Sequence, residues 1–304
     1  MRLSIWPLAQ QSWEEIVTQT LHAELTGWDG VYLADHFMGD GGGFGPATTP
    51  VFEVTAALAA LGALTTRLRV GSLVLGNTYR HPAVVANWAA TLDRLTAGRL
   101  VLGVGAGWQQ NEHQQYGITL PPPGERLERL EEACSVITSL LHDPTTTFHG
   151  EHYRLTDALC EPKPVQDPLP LLIGGKGDRM LGVVARHAQE WNMWGLPTVI
   201  AERSRVLDRH CAAIGRDPAT IRRSTQALVM VTDDLTAAER FVEAAAPRAA
   251  IAGPAGHFAE IVEQWSAVGI DEVIVPDTGL GTGDERLGRL DALRAAVSWS
   301  DRTA

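Results

Sequence analysis

The pair Asp35-His36 is one place where acid-base side chains directly follow an apolar run. That run, GVYLAD (30–35), has the composition of a buried strand, and a glycine-rich segment, GDGGGFGP, follows shortly after it. A histidine can donate a hydrogen bond or accept a proton near neutral pH, so His36 is a candidate catalytic residue. The alternative interpretation is a structural histidine beside an aspartate that caps the loop.

A second candidate site is the segment GGKGD (174–178), which lies between an apolar run and a helical run. Glycines allow backbone N–H groups to converge on an anion, and the dipole of the following helix adds to the attraction. Lys176 can supply a full positive charge. The alternative is a tight turn with a solvated lysine. The segment is not a Walker A loop, because it lacks that spacing and the Lys-Ser/Thr pair.

Other kinds of site find little support in the sequence, and no metal site is predicted. His142, His149 and His152 cluster near a predicted hairpin, but no H-x-x-x-H pair on one helix face accompanies them. The three cysteines are far apart and form no C-x-x-C pair, so neither a disulfide framework nor a structural zinc is expected. No G-x-S-x-G elbow of a serine hydrolase occurs.

The elements that must position these residues alternate along the chain. Short apolar runs recur, and nearly every run is followed by a segment with helical periodicity. Eight such units in 304 residues predict an α/β fold, a closed (β/α)8 TIM barrel, with an open doubly wound sheet as the alternative. We expect residues 1–304 to form a single domain. The predicted strands are 2–6, 30–35, 68–75, 99–107, 170–175, 190–195, 222–232 and 271–276.

The active sites of such barrels lie at the C-terminal ends of the strands. Two stretches, 36–50 and 143–169, interrupt the alternation, and we expect insertion loops at this mouth. The rule also gives candidate residues at the ends of the third, fourth and sixth strands. They are Ser72 and Leu73, then Ala106 and Gly107 with Asn111 and His113 just after, and Trp194.

The charge and composition exclude some classes of partner. The formal net charge of −11 argues against binding to nucleic acid or to an anionic membrane, since both require a basic face. No stretch approaches the roughly 20 apolar residues of a membrane span, and the N-terminal residues do not resemble a signal peptide. We therefore expect a cytoplasmic protein that acts on a small molecule.

Several segments, in order along the chain, resemble the luciferase-like monooxygenase superfamily, and in particular its branch that uses the deazaflavin coenzyme F420. The most specific block is GSLVLGNTYRHPAVVANWAATLDRLTAGRLVLGVGAGW (71–108), which combines a strand, an R-H-P helix start and a G-V-G-x-G-W strand end. YLADHF, PLLIGG and the late segment GPAGHFAEIVEQWSAVGIDEVIV also match.

The resemblance implies a cofactor ring at the barrel mouth, with one face against the third strand. Family members carry a non-prolyl cis peptide there, which corresponds to Ser72-Leu73. Asp35 and His36 correspond to residues beside the ring, and Trp194 is a further wall. The ribityl and phosphate groups correspond to two sets of residues. The first set is Ala106, Gly107, Asn111 and His113, and the phosphate loop is Gly174, Gly175, Lys176 and Gly177.

One position departs from the family pattern. Sugar-phosphate dehydrogenases of this family have a glutamate directly after the G-V-G-x-G segment, where it serves as an acid. This sequence has Trp108 at that position. An apolar or aromatic substrate pocket therefore fits better than sugar-phosphate chemistry.

The resemblance leaves three functions open. The first is an F420-dependent oxidoreductase that transfers a hydride to or from an unidentified small organic substrate, with His36 as the catalytic residue. The second is an FMN-dependent two-component monooxygenase that works with a separate cofactor reductase. The third is a flavin-binding protein without turnover. The family also implies a homodimer.

Overall fold

Eight parallel strands form a closed barrel, which confirms the predicted (β/α)8 TIM fold. The structure, a computed structural model, describes the backbone of residues 1–300 and the side chains of residues 1–297. Each strand pairs with its neighbours in chain order, and β8 pairs with β1 from Arg2↔Glu272 to Trp6↔Pro276. The barrel strands are β1 (Arg2–Trp6), β2 (Gly30–Leu33), β3 (Arg69–Ser72), β4 (Leu100–Gly105), β5 (Leu171–Gly174), β6 (Glu190–Trp194), β7 (Arg222–Gln226) and β8 (Glu272–Pro276).

Helices follow the strands and cover the barrel. The first helix begins as predicted, because Ser12 accepts a hydrogen bond from the N–H of Glu15, and it ends at Gly27 with a φ of 86°. No helix within residues 1–300 is both long and apolar enough to cross a bilayer. The helices are α1 (Trp13–Thr26), α2 (Val54–Leu64), α3 (Pro82–Leu95), α4 (Gln110–Tyr116), α5 (Pro123–His142), α6 (Asp178–His187), α7 (Pro197–Ala213), α8 (Leu235–Ala245), α9 (Ala255–Ala267) and α10 (Gly283–Ser300), with a 3-10 turn at Pro218–Thr220.

The short strands outside the regular barrel differ from the prediction. The predicted strand 222–232 is two strands, because Leu228–Val231 leaves the barrel to pair with Ala250–Gly253, a strand that the sequence did not predict. The predicted third strand breaks after Ser72, and Leu75–Gly76 then pairs with the end of β4. The predicted hairpin is confirmed as Thr146–His149 with Arg154–Ala158.

The apolar side chains of the strands alternate between two cores. On β5, Leu171 and Ile173 belong to the large core beneath the helices, whereas Leu172 belongs to a smaller cluster inside the barrel. Strands buried on both faces need apolar residues at almost every position, which explains why they appear in the sequence as continuous runs. The inner cluster contains Trp6, Tyr32, Leu73, Val101, Leu172 and Ile274.

Below the inner cluster, a charged layer closes the N-terminal end of the barrel. Arg69, at the start of β3, forms ion pairs with Glu190 and with Glu272, whose Oε2 lies 2.6 Å from Nη1. Tyr32 and Ser4 donate to Glu272, and both glutamates are buried. The N-terminal end of the barrel interior is therefore occupied by paired charged side chains.

Candidate functional site

A cavity of about 820 Å³ opens at the C-terminal mouth of the barrel. Its volume lies in the upper part of the range of about 300–1,000 Å³ that is common for small-molecule pockets. Residues from the ends of most strands line it. The predicted site residues among them are Asp35, His36, Leu73, Gly107, Gly174, Gly175, Lys176 and Trp194.

His36 is held by a buried carboxylate that the sequence analysis did not select. Glu112 on α4 is fully buried, and its Oε1 lies 3.0 Å from Nδ1 of His36. Its other oxygen accepts the backbone N–H of Phe37 at 2.8 Å, and the hydroxyl of Tyr79 also donates to the carboxylate. Because a carboxylate only accepts, Nδ1 of His36 carries the proton in this pair and Nε2 is the ring atom left for a ligand.

The surroundings of Glu112 keep its carboxylate ionised, so that it can accept the Nδ1 proton of His36. Burial raises the pKa of Glu112. The hydrogen bonds from His36, Phe37 and Tyr79 lower it by more than burial raises it, so the pKa lies below its ordinary value. Burial and the neighbouring carboxylate raise the pKa of Tyr79, so its phenol stays protonated and donates. The result is an ionised glutamate that fixes the tautomer of His36.

Asp35 lies at the cavity wall but is engaged by other groups. Arg80 binds both of its oxygens, at 2.6 and 3.1 Å, and the N–H of Gly76 donates to Oδ2 at 2.9 Å. The same guanidinium forms an ion pair with Glu53 at the start of α2. Burial raises the pKa of Asp35, although Arg80 and the Gly76 amide oppose that rise. Asp35 therefore ties the loop after β3 to the end of β2.

The non-prolyl cis peptide predicted at Ser72-Leu73 is instead Leu73-Val74. The strand ladder includes Ser72, which pairs with Leu33 and whose hydroxyl donates to the carbonyl of Gly103 at 2.8 Å. The N–H of Leu73 also donates to the carbonyl of Leu33, so the chain leaves the ladder one residue later than expected. Leu73 and Val74 line the cavity, whereas Ser72 is buried behind them.

Leu73 and Val74 together form a ledge at the cavity, and glycines shape the wall beside it. A Cβ at Gly105 would lie 2.7 Å from Cγ2 of Val74, and one at Gly174 would lie 3.2 Å from both methyl carbons of Val74. The loop then reaches Gly177, the N-cap of α6, which provides no side-chain cap. The first amides of a helix have no acceptor within the helix, so this end of the cavity can bind an anion. Lys176 lines the cavity at the same place.

The remaining predicted residues lie near the cavity without lining it. Ala106 packs against the outer core. The amide of Asn111 donates to the carbonyl of Gly39 at 2.8 Å and thereby holds the glycine-rich loop. His113 is buried, with Nδ1 bonded to the carbonyl of Gln109 and Nε2 2.8 Å from the hydroxyl of Thr78. Gly177 is exposed beyond Lys176.

The outer part of the cavity is apolar and aromatic. The ring of Trp108 meets that of His36 edge to face at 5.5 Å, and Phe44 lies beside both rings. At the inner end, Trp6 and Trp194 pack at 5.6 Å. Arg248 lines the cavity at the rim, a position that no sequence pattern indicated. The site can therefore hold a planar ring system between a glycine-lined wall and an aromatic wall.

The chain belongs to the luciferase-like monooxygenase family, whose model matches residues 1–271. A relative from Nakamurella multipartita, described as an F420-dependent glucose-6-phosphate dehydrogenase, is 37% identical over 177 residues, which is 57% of this chain and 50% of that protein. A protein of the same description from Microbacterium testaceum is 39% identical over 171 residues, or 55% of this chain and 48% of that protein. The matches thus span about half the length of these curated relatives.

Solved structures share the fold at low sequence identity. An F420-dependent secondary alcohol dehydrogenase in complex with an F420-acetone adduct superposes with a TM-score of 0.85 and 19% identity, covering 98% of this chain and 99% of that one. A long-chain alkane monooxygenase gives a TM-score of 0.81 and 13% identity, covering 99% and 92%. The fold is thus shared by F420 enzymes and monooxygenases.

Proposed function

We propose that the protein is an F420-dependent oxidoreductase that transfers a hydride between the deazaflavin and an apolar organic substrate. One observation carries the proposal: a cavity at the barrel mouth is lined on one side by Gly174, Gly175 and Lys176, just before the start of α6, and elsewhere by His36, which is paired with Glu112. The relatives described as F420-dependent enzymes support the choice of cofactor. We further propose that residues 1–304 act as a single domain.

The residues present fit a deazaflavin. Gly105 and Gly174 leave room for the side chain of Val74, so that Leu73-Val74 can form a ledge on which a flat ring can rest. Lys176 and the amides at the start of α6 would hold the phosphate. When bound, the deazaflavin supplies a carbon that accepts or donates the hydride.

The protein's own groups supply position and proton chemistry. His36 presents Nε2 to the cavity, where it can hydrogen-bond to substrate and receive or donate a proton. Asp35 and Arg80 fix the loop that carries the ledge. Trp108 and Phe44 cover His36 and reduce its contact with water.

The substrate we propose differs from the sugar phosphate named for the curated relatives. The family resemblance implies a glutamate at position 108 in sugar-phosphate dehydrogenases, whereas here the ring of Trp108 lines the cavity beside His36. A hydroxyl-rich sugar would lose hydrogen bonds against such a wall, whereas an apolar substrate would lose none. An apolar wall of this kind would also suit the substrate of an FMN monooxygenase.

The test is a pair of calorimetric titrations of the purified protein, with coenzyme F420 and with FMN. We expect F420 to bind at least tenfold more tightly. Preference for FMN would favour a two-component monooxygenase and a partner reductase, and binding of neither would overturn the proposal. Sedimentation of the same sample tests the predicted homodimer.

The His36→Asn variant separates an enzyme from a binding protein. With a substrate found by following F420 absorbance, turnover should fall at least a hundredfold while the dissociation constant of F420 changes less than threefold. A protein that only binds the cofactor would show no turnover in either form.

A further inference from the structure

Two cationic side chains from different strand ends line the cavity. Lys176 follows β5, whereas Arg248 lies between β7 and β8 in the chain and contacts Phe44 in the loop after β2. In the ring of eight strands, the loop after β7 and the loop after β2 are two and three strand positions away from β5. An anion bound at Arg248 is therefore held by loops other than the phosphate loop.

The positive charge of Arg248 is only weakly paired within the protein and can bind an anionic ligand. Its guanidinium carbon lies 4.8 Å from the centre of the Phe44 ring, and its nearest carboxylate is Asp40, with Nη2 and Oδ2 separated by 4.0 Å. Asp40 is itself engaged, because its other oxygen accepts the N–H groups of Gly42 and Phe44 at 2.8 and 2.9 Å. Within residues 1–297 the structure shows no hydrogen bond from this guanidinium. A carboxylate could bind both of its N–H edges.

Several apolar side chains that line the cavity are also exposed to solvent. Trp108 is 55% exposed, and Leu196 and Val199 are 36% and 46% exposed, although all three line the cavity. Large apolar side chains that remain open at a concave rim are typical of a ligand site. Aromatic rings there favour a flat partner, which can stack or meet them edge to face.

We propose that the substrate is a planar apolar acid, aromatic or conjugated, whose ring packs against the cavity-lining side of Trp108 and Phe44 and whose carboxylate binds Arg248. This inference rests on the proposed function, because it assigns the glycine-lined half of the cavity to the cofactor. An anionic group on the cofactor could present the same chemistry to Arg248, so the experiment must distinguish the two sources.

The experiment is calorimetric titration of the F420-loaded protein with 2-naphthoate and 2-naphthamide. These probes share one ring system and differ in charge. We expect the acid to bind at least tenfold more tightly than the amide. In the Arg248→Met variant this ratio should fall below threefold, while Arg248→Lys should retain part of it. Arg240→Met, which removes an exposed arginine of α8 outside the cavity, should leave the ratio unchanged.

Three outcomes would overturn the inference. Equal binding of acid and amide to the unmodified protein would show that the rim does not select an anion. Equal weakening of both probes in Arg248→Met would mean that Arg248 only supports the Phe44 loop. Weaker binding of F420 in Arg248→Met, with the ratio unchanged, would assign Arg248 to the cofactor.

Failure of F420 to bind the unmodified protein would instead overturn the proposed function. The two probes can then be titrated into the cofactor-free protein. An acid-to-amide ratio that depends on Arg248 would still support the anion site, and a ratio near one would refute it.

Discussion

The two ends of the barrel use similar charged residues in opposite ways. At the N-terminal end, Arg69 is enclosed by Glu190 and Glu272 and forms an ion pair with each of them inside the protein. At the C-terminal end, Lys176 and Arg248 face a cavity; Arg248 lies 4.0 Å from Asp40, and no ion pair of Lys176 is found among residues 1–297. Charges that are satisfied internally stabilise one arrangement, whereas charges at an open cavity remain available to ligands.

The difference arises from the residues that fill the barrel at each end. Long side chains from the first residues of β3, β6 and β8 meet at the N-terminal end and form hydrogen-bonded ion pairs. At the other end, Gly105 and Gly174 carry no side chain and leave room for Val74 at the cavity wall. The same strand geometry therefore produces a closed base and an open mouth.

The largest expected effect is on stability, from Arg69→Met. The variant leaves two buried carboxylates without their cation, and breaking a buried ion pair in this way typically costs about 3–5 kcal/mol. Arg248 is 36% exposed and should behave differently, with a change below about 0.5 kcal/mol in Arg248→Met. Urea unfolding of both variants at pH 7 checks the contrast, which fails if their midpoints shift equally.

The second prediction concerns Glu112, a carboxylate at the C-terminal mouth that is buried as Glu190 and Glu272 are at the N-terminal end. Glu112→Gln should lower the free energy of unfolding by about 1.5–3 kcal/mol at pH 7, since charged hydrogen bonds have that worth. The folded pKa of Glu112 is lowered, so its contribution is present above the unfolded pKa of about 4.3 and is lost as pH falls through the folded pKa. The difference between variant and wild type should shrink below about pH 4.

A spectroscopic measurement separates this positioning role from a merely structural one. The glutamine amide would donate to Nδ1 of His36, so the proton should move to Nε2. Nitrogen-15 shifts of His36 should report the Nδ1–H tautomer in the wild type and Nε2–H in Glu112→Gln. An unchanged tautomer would contradict the assignment of Glu112. Glu53→Gln, which alters the acid on the far side of Arg80, is the control and should leave His36 unchanged.

The sequence predicted the barrel well because strands buried on both faces leave a local signal. The residues of the mouth were predictable where they end such strands, as with Asp35, His36 and the Gly174–Gly177 loop. Glu112 was missed although Asn111 and His113 on either side were selected. Its partner His36 lies 76 positions earlier in the chain, and only the closed barrel brings the two together.

Positions outside the regular strands were predicted less well. The resemblance placed the cis peptide at Ser72-Leu73, one residue too early, since the exact end of the ladder depends on the pairing of this strand with β2. The strand Ala250–Gly253 is too short for its sequence to show the alternation of apolar and polar residues by which strands are predicted. Arg248, just before it, has no local motif, and its role depends on contact with a distant loop.

The third prediction tests the space left by glycine at the mouth. In Gly174→Ala the new methyl group would meet Val74 at 3.2 Å, so the ledge must move by a few tenths of an ångström. We expect F420 to bind about tenfold more weakly, which corresponds to about 1.4 kcal/mol. Gly177→Ala is the matched control, because its Cβ meets nothing within 4 Å and its φ is −70°. Equal losses in the two variants would contradict a cradle at Gly174.

The smallest expected effect comes from Lys176→Met. Lys176 is a cation at the C-terminal mouth, as Arg69 is at the N-terminal end of the barrel. Lys176 is exposed, so water and salt screen its charge, and an exposed ion pair contributes only about 0.2–1 kcal/mol. F420 should therefore bind about two- to fivefold more weakly at low salt, and the difference should vanish near 1 M salt. A phosphate-free deazaflavin nucleoside should bind both proteins equally. A loss that persists in high salt, or that extends to the nucleoside, would place Lys176 against the ring system instead of the phosphate.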